Sequence, residues 1–249
     1  MDAYTGFAAV YELFMDNIPY QEWAEYILKI LKHHGITDGL MLDLGCGTGS
    51  LTRIMSEKGY DMIGVDNAGE MLAVALEKER ERPRNILYLL QDMCEFELYG
   101  TVNAVISICD CMNYVVEPED LLQVFQLVNN YLEPKGIFIF DMNTLYKYKE
   151  ILGATTIAEN REEGSFIWEN FYNEEEKINE YDLSIFIPEG ELYRKYEEVH
   201  YQRAYTIEEV VELIERSGLK LLHIYDAFTF EKPKANSDRI YFVVQEKGK

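Results

Sequence analysis

Three short stretches hold residues whose types and spacing could do chemistry. In Asp43-Leu44-Gly45-Cys46-Gly47-Thr48-Gly49, three glycines follow an apolar run. Without side chains in the way, Gly45, Gly47 and Gly49 let the backbone come close to a ligand. The helix expected from Ser50 adds the partial positive charge of its N-terminus. Such a turn suits a nucleotide-like or carboxylate-bearing ligand, although glycine-rich turns also serve phosphates and dinucleotides. Asp66 ends the next apolar run, where a carboxylate can accept two hydrogen bonds from ribose hydroxyls. Gln91-Asp92-Met93 follows the third run. There an acid can accept from an adenine amino group, and an apolar side chain can cover the ring. Each aspartate alone reads equally as a helix cap or turn residue. In order, after consecutive strands, they form parts of one adenosine site.

A second group stands where a reaction partner would face that site. Asn113 and Tyr114 follow the fourth apolar run, Asp141 and Asn143 the fifth, and His200 and Arg203 lie much later. Imidazole titrates near neutrality, so His200 can act as a base, or it is one more polar residue on a half-buried strand. Arg203 can hold an anion or pair with local acids. The four cysteines, Cys46, Cys94, Cys109 and Cys111, form neither a disulfide framework nor a recognisable zinc pattern, so no metal is expected.

The elements that must position these residues alternate in kind. Short apolar strands are expected at 40–44, 62–65, 86–90, 102–108 and 137–140, with helices at 51–58 and 70–82 and around Leu121–Val128. Pro134-Lys135-Gly136 reads as a turn. An earlier helix begins near Pro19, buries Trp23, Tyr26, Ile27, Ile30 and Leu31, and stops at Gly35. Five apolar strands separated by helices predict an α/β fold with a doubly wound, mostly parallel sheet. After Asp141 the alternation breaks. Aromatic and β-branched runs at 165–173, 178–187 and 191–201 predict an inserted antiparallel sheet. Thr206-Ile207-Glu208-Glu209 is a capping box, and strands at 219–225 and 240–245 close the chain, bringing the main sheet to seven.

The 249 residues suit one α/β domain with an insertion, and a formal charge of −22 disfavours broad contact with nucleic acid. No apolar run is long enough to span a bilayer, and the first residues lack a signal-peptide pattern, so a cytoplasmic location is expected.

The segment Leu42–Gly49 resembles the first motif of the class I S-adenosylmethionine-dependent methyltransferases. Val65-Asp66 resembles their second motif, Gln91-Asp92-Met93 their third, Cys109–Tyr114 the fourth, and Leu132–Ile137 their strand-five turn. A narrower resemblance runs through Tyr4-x-x-Phe7-Ala8-x-Val10-Tyr11-Glu12, Pro19-Tyr20-x-x-Trp23 and Glu198–Tyr205. It is to a bacterial group of small methyltransferases of largely unassigned substrate, and less closely to sugar-amine N-methyltransferases.

The resemblance implies S-adenosylmethionine as cofactor and S-adenosylhomocysteine as product. Asp43, Gly45, Cys46 and Gly47 would then approach the methionine part, Asp66 the ribose, Asp92 and Met93 the adenine, and Cys109 the cofactor's amino group. Asn67, Met71, Gln91 and Asp110 would also bind the cofactor, with Tyr11 and Trp23 closing over the site. His200, Tyr11 and Asn113 become candidate catalytic residues, and Tyr114, Asn143, His200 and Arg203 candidate contacts to the acceptor. The implied organisation is an N-terminal helical cap (1–36), a cofactor-binding Rossmann-like domain (37–145 and 204–249) and an acceptor-binding insertion (146–203). The expected activity is methyl transfer to nitrogen or oxygen of a small molecule by a monomer or homodimer away from membranes. The alternatives are an RNA or protein methyltransferase and a non-catalytic cofactor-binding regulator; a nicotinamide oxidoreductase would need a wider glycine spacing.

Overall fold

A computed structural model describes Phe14 and residues 19–249. Tyr4, Phe7 and Tyr11 lie outside the described residues. The main sheet has seven strands in the order β10-β11-β5-β4-β1-β2-β3. These are β1 (Gly39–Leu44), β2 (Tyr60–Asp66), β3 (Leu87–Leu90), β4 (Val102–Ser107), β5 (Leu132–Asn143), β10 (Lys220–Asp226) and β11 (Arg239–Gln245). β11 runs antiparallel to both β5 and β10, and the other pairings are parallel.

Both faces of this sheet are apolar because both are covered. On β5, Phe138 and Phe140 join a core built with helices α4 (Pro118–Tyr131) and α5 (Ile207–Arg216), and Ile137 and Ile139 point the other way. That second face packs on α1 (Tyr20–His33) and α2 (Ser50–Glu57), and α3 (Gly69–Glu81) links β2 to β3. These four β5 side chains are fully buried, and each contributes about 1.5–3 kcal/mol through removal from water. Within the segment expected as an N-terminal cap, α1 buries Trp23, Ala24, Ile27, Ile30 and Leu31 against this second face of the sheet.

Local chemistry fixes the helix ends. Pro118 opens α4 with Glu119 and Asp120 in its first turn, where the helix dipole favours acids. In α5, Glu209 N–H donates to Thr206 Oγ1 (3.2 Å), and Thr206 N–H donates to the Glu209 carboxylate (2.8 Å), which is the expected capping box. Pro134-Lys135-Gly136 differs from expectation. It is a bulge within β5, not a turn before it: Val102 pairs with Leu132, yet Ala104 pairs with Ile137. Lys135 takes a left-handed φ of 66°, and Pro134 has no N–H to give the ladder.

The second sheet has four antiparallel strands in sequence order, β6 (Thr156–Asn160), β7 (Ser165–Asn173), β8 (Ile178–Glu189) and β9 (Leu192–Arg203). Asn173 accepts from the N–H groups of Glu175 and Glu176 at the β7–β8 turn. Gly190, at φ 66°, turns β8 into β9. β6 was not expected: it is a mostly exposed edge strand without an alternating burial pattern. A π-helical turn at Lys147–Leu152 was also missed; it joins the sheets and buries Tyr148 and Leu152.

Candidate active site

The carboxyl ends of β1, β2, β3, β4 and β5 open into one cavity of 690 Å³, and the four-stranded sheet forms its other wall. This is where an open α/β sheet binds ligands. Gly45, at φ 83°, permits a close approach: a Cβ there would lie 2.8 Å from Cys111 Sγ. Around Gly47, at φ 54°, nothing stands within 4 Å of the missing Cβ.

Asp66 ties this turn to β2. Its carboxylate accepts from Gly47 N–H at 2.7 Å and from Ala68 N–H at 2.8 Å, one bond to each oxygen. A carboxylate has about four acceptor positions, so each oxygen keeps one for a neighbouring pair of hydroxyls. Burial raises its pKa, and the backbone donors pull against that rise. Asp43 is fully enclosed and accepts from Thr52 Oγ1 at 2.6 Å. Burial pushes its pKa up to about 7, the Thr52 bond opposes this, and the nearby Asp66 charge adds to it. Asp92 accepts from Cys94 N–H at 2.8 Å and stands 3.5 Å from the Asn67 amide nitrogen. Gln91 lines the cavity but spends its amide on the backbone of Glu97. Met71, Met93 and Cys46 complete this half.

β4 ends in a strained turn. Cys109 and Asp110 take left-handed φ values of 73° and 53° and line the cavity; such conformations are costly for side chains larger than glycine. A buried polar network holds them. Asp110 N–H donates to Asp141 at 3.0 Å, Arg239 binds both carboxylates, and Gln202 on β9 donates to Asp110 at 2.6 Å. Tyr148 then donates to Gln202 at 2.9 Å. Burial raises the pKa of Asp141 while the adjacent Arg239 charge lowers it.

The far half of the cavity is aromatic. Tyr181 stacks on His200 with ring centroids 4.9 Å apart, Trp168 lies 5.0 Å from Tyr181, and the Tyr114 and Tyr181 hydroxyls share a hydrogen bond. His200 Nε2 lies 3.1 Å from the buried Glu198 carboxylate. Trp23 and Trp168 line the cavity, and their indole N–H groups are buried without a partner among the described residues.

The structure therefore brings sixteen of the expected site residues to one cavity: Trp23, Asp43, Gly45, Cys46, Gly47, Asp66, Asn67, Met71, Gln91, Asp92, Met93, Cys109 and Asp110, and, at the far side, Tyr114, Asn143 and His200. Two others do not reach it. Asn113 is a correction to the catalytic set. Its amide is wholly consumed by backbone, donating to Asn143 O at 3.3 Å and Arg203 O at 2.8 Å and accepting from Asn143 N–H at 2.9 Å. Arg203 is a correction to the acceptor contacts: it turns away, donating to Val116 O and lying over the Tyr205 ring. Trp168, Tyr181, Lys147, Gln202 and Arg239 were missed. For Trp168, Tyr181 and Gln202 the only signal was the period-two alternation of β7–β9, which does not reveal the face that meets the cavity; Lys147, in the π-helical turn, and Arg239, at the start of β11, had no local signal.

This fold and nucleoside-shaped grip define the class of Rossmann-like enzymes that bind an adenosine-bearing cofactor. Residues 41–136 match the family described as "Methyltransferase domain". YqeM of Bacillus subtilis (strain 168), which carries a methyltransferase name, is 35% identical over 98% of this chain and 97% of its own. An S-adenosylmethionine-dependent methyltransferase from Clostridium acetobutylicum ATCC 824 superposes with a TM-score of 0.89 at 29% identity, covering 98% of this chain and 99% of that one. CalS10, an amino pentose methyltransferase from Micromonospora echinaspora solved with S-adenosylmethionine bound, gives 0.77 at 16% identity, covering 96% and 97%. The chain belongs to the class I S-adenosylmethionine-dependent methyltransferases.

The residues present suit that cofactor. Acceptor positions on Asp66 match a ribose diol, the open space at Gly47 admits a ligand against backbone, and the acids Asp43, Asp92 and Asp110 in the lining favour a cationic ligand. Among the described residues, no group of three or more His, Cys, Asp or Glu is placed to hold a metal, and no helix is long and apolar enough to cross a membrane.

Proposed function

We propose that this enzyme methylates a nitrogen or oxygen atom of a small molecule held between the ends of β4 and β5 and the inner face of the four-stranded sheet. The observation that supports this most is the continuity of the cavity from Asp66 and Asp92 to Trp168, Tyr181 and His200. In this reading Asp43, Gly45, Cys46, Gly47, Asp66, Asn67, Met71, Asp92, Met93, Cys109, Asp110 and Trp23 bind the cofactor, and residues 146–203 bind the acceptor.

The cofactor supplies a methyl group already activated by a sulfonium. The protein's work is to align the acceptor and exclude water. Trp168, Tyr181 and Tyr114 form a flat apolar wall that orients a planar or ring-shaped molecule. His200, steadied by Glu198, takes the proton that an amine or hydroxyl acceptor must lose. Gln202 acts as a strut between the acceptor wall and the Cys109–Asp110 turn. A sugar or other small amine is a natural acceptor to try first, since CalS10 acts on an amino pentose. The −22 charge argues against an RNA acceptor.

The test is transfer of labelled methyl groups from the cofactor into fractionated cell extract. The expected result is label in a low-molecular-weight compound, lost with His200→Ala. Label confined to RNA or protein would overturn the small-molecule reading, and tight cofactor binding with no transfer to any fraction would favour a regulatory binder.

A further inference from the structure

Two cationic side chains line the cavity, Lys147 and Arg239, and their situations are opposite. Arg239 is paired twice: one guanidinium nitrogen binds Asp110 at 2.6 Å and another binds Asp141. Lys147, at the start of the π-helical turn, donates from Nζ only to the neutral amide oxygen of Asn143, at 2.8 Å. No carboxylate among the described residues lies within 4.0 Å of it. The turn is itself unusual, closing through a hydrogen bond from Gly153 N–H to Tyr148 O at 2.7 Å, and single π-turns often mark functional positions.

A half-buried ammonium without a counter-charge is costly, and here the cost is visible. Burial, then the neighbouring Arg239 charge, lowers the Lys147 pKa, although Asp110, Asp238 and Asp141 push the other way. An anion entering the cavity would relieve this at once. Of the acids around this part of the cavity, Asp110 and Asp141 serve Arg239 and Glu198 serves His200, and Asp238 is exposed and makes no ion pair within 4.0 Å of Lys147. In a protein of net charge −22, a cation kept unpaired in the binding cavity is out of keeping with a role in holding the fold.

We propose that Lys147 is an anion-recognition residue that pairs with a ligand carboxylate inside the cavity. Asn143 holds Nζ in place, and the aromatic wall of Trp168 and Tyr181 receives the flat body of the molecule bearing that carboxylate. The inference rests on the cavity being the methyltransferase site. The carboxylate has two possible sources, the acceptor and the methionine part of the cofactor, and the experiment separates them.

Calorimetry is run on wild type, Lys147→Met and Lys147→Arg, with thermal midpoints to establish that each is folded. The first arm measures S-adenosylhomocysteine against 5′-methylthioadenosine, which has the nucleoside but no carboxylate. The second measures benzoate, against benzamide, with S-adenosylhomocysteine saturating. If the cofactor supplies the carboxylate, Lys147→Met weakens S-adenosylhomocysteine by about tenfold to a hundredfold and leaves methylthioadenosine unchanged. If the acceptor supplies it, benzoate binding is lost in Lys147→Met while benzamide is indifferent to the substitution. In either case Lys147→Arg, which keeps the charge, restores most of the affinity. A folded Lys147→Met that binds S-adenosylhomocysteine and benzoate as wild type does would overturn the proposal. Failure of wild type to bind S-adenosylhomocysteine would instead defeat the cofactor assignment, and benzoate binding without it would still test Lys147.

Discussion

Asp66→Ala isolates the grip on the nucleoside. In the structure each Asp66 oxygen accepts one backbone N–H, from Gly47 or Ala68. One acceptor position on each oxygen is left for a ribose hydroxyl. Hydrogen bonds to a charged group contribute roughly 1.5–3 kcal/mol each, so losing two removes about 3–6 kcal/mol from binding. Water entering the vacated space will satisfy Gly47 and Ala68 and compensate in part, which places the expected loss at about 100-fold or more in Kd. Asp66→Asn keeps one acceptor oxygen without the charge and should lose about tenfold. Because burial already disfavours the charged form of Asp66, neither substitution should unfold the protein. Calorimetry with S-adenosylhomocysteine, with circular dichroism as the control for folding, measures both. A folded Asp66→Ala protein whose Kd stays within about threefold of wild type would refute the reasoning, because the diol would then be held by something else.

Gly45→Ala forces a side chain into a left-handed backbone at φ 83° and against Cys111 Sγ; it should cost about 1–3 kcal/mol of stability and weaken cofactor binding, both readable by thermal melts with and without S-adenosylhomocysteine. Asp43 gives a pH dependence of definite sign. Its folded pKa is raised from 3.8 to about 7 by burial, so its stabilising contribution is full below about pH 4 and is lost as pH rises toward 7, amounting to about 4 kcal/mol. Urea unfolding between these limits should show this slope, and Asp43→Asn should flatten it; an equal slope in both proteins would contradict it. Arg239→Met strips the shared partner from two buried carboxylates and should destabilise by about 3–5 kcal/mol in denaturant unfolding, with Asp141→Asn in the same background recovering part. His200→Ala should leave S-adenosylhomocysteine affinity within about twofold while abolishing labelled methyl transfer; retained transfer would remove the base from the mechanism.

The sequence by itself determined the doubly wound sheet and which strand-end residues line one half of the cavity. Strand-helix alternation is local, and Gly45–Gly49, Asp66 and Asp92 each sit at a strand end that the apolar pattern locates. Once consecutive strands lie parallel, their carboxyl ends must share one edge, so residues far apart in the chain meet without further information. The acceptor half was not legible in this way. Alternation along β7, β8 and β9 showed two faces, but only the packing of the second sheet against the first selected Trp168, Tyr181 and His200 as the inward set. The same packing decided against Asn113 and Arg203. Asn113 stands beside Tyr114 in sequence, yet its amide is taken by β5 and β9 backbone; and Arg203, in β9 with His200, faces Val116 and Tyr205. Edge strand β6 lacked any burial period to betray it. Arg239 and Gln202 come from separate elements, and their pairing with Asp110 and Asp141 is a long-range choice; Lys147 meets Asn143 only four residues away, but its place in the cavity comes from the fold. Side-chain charge is written in the sequence; which charges are left without a partner is settled only when the chain has folded.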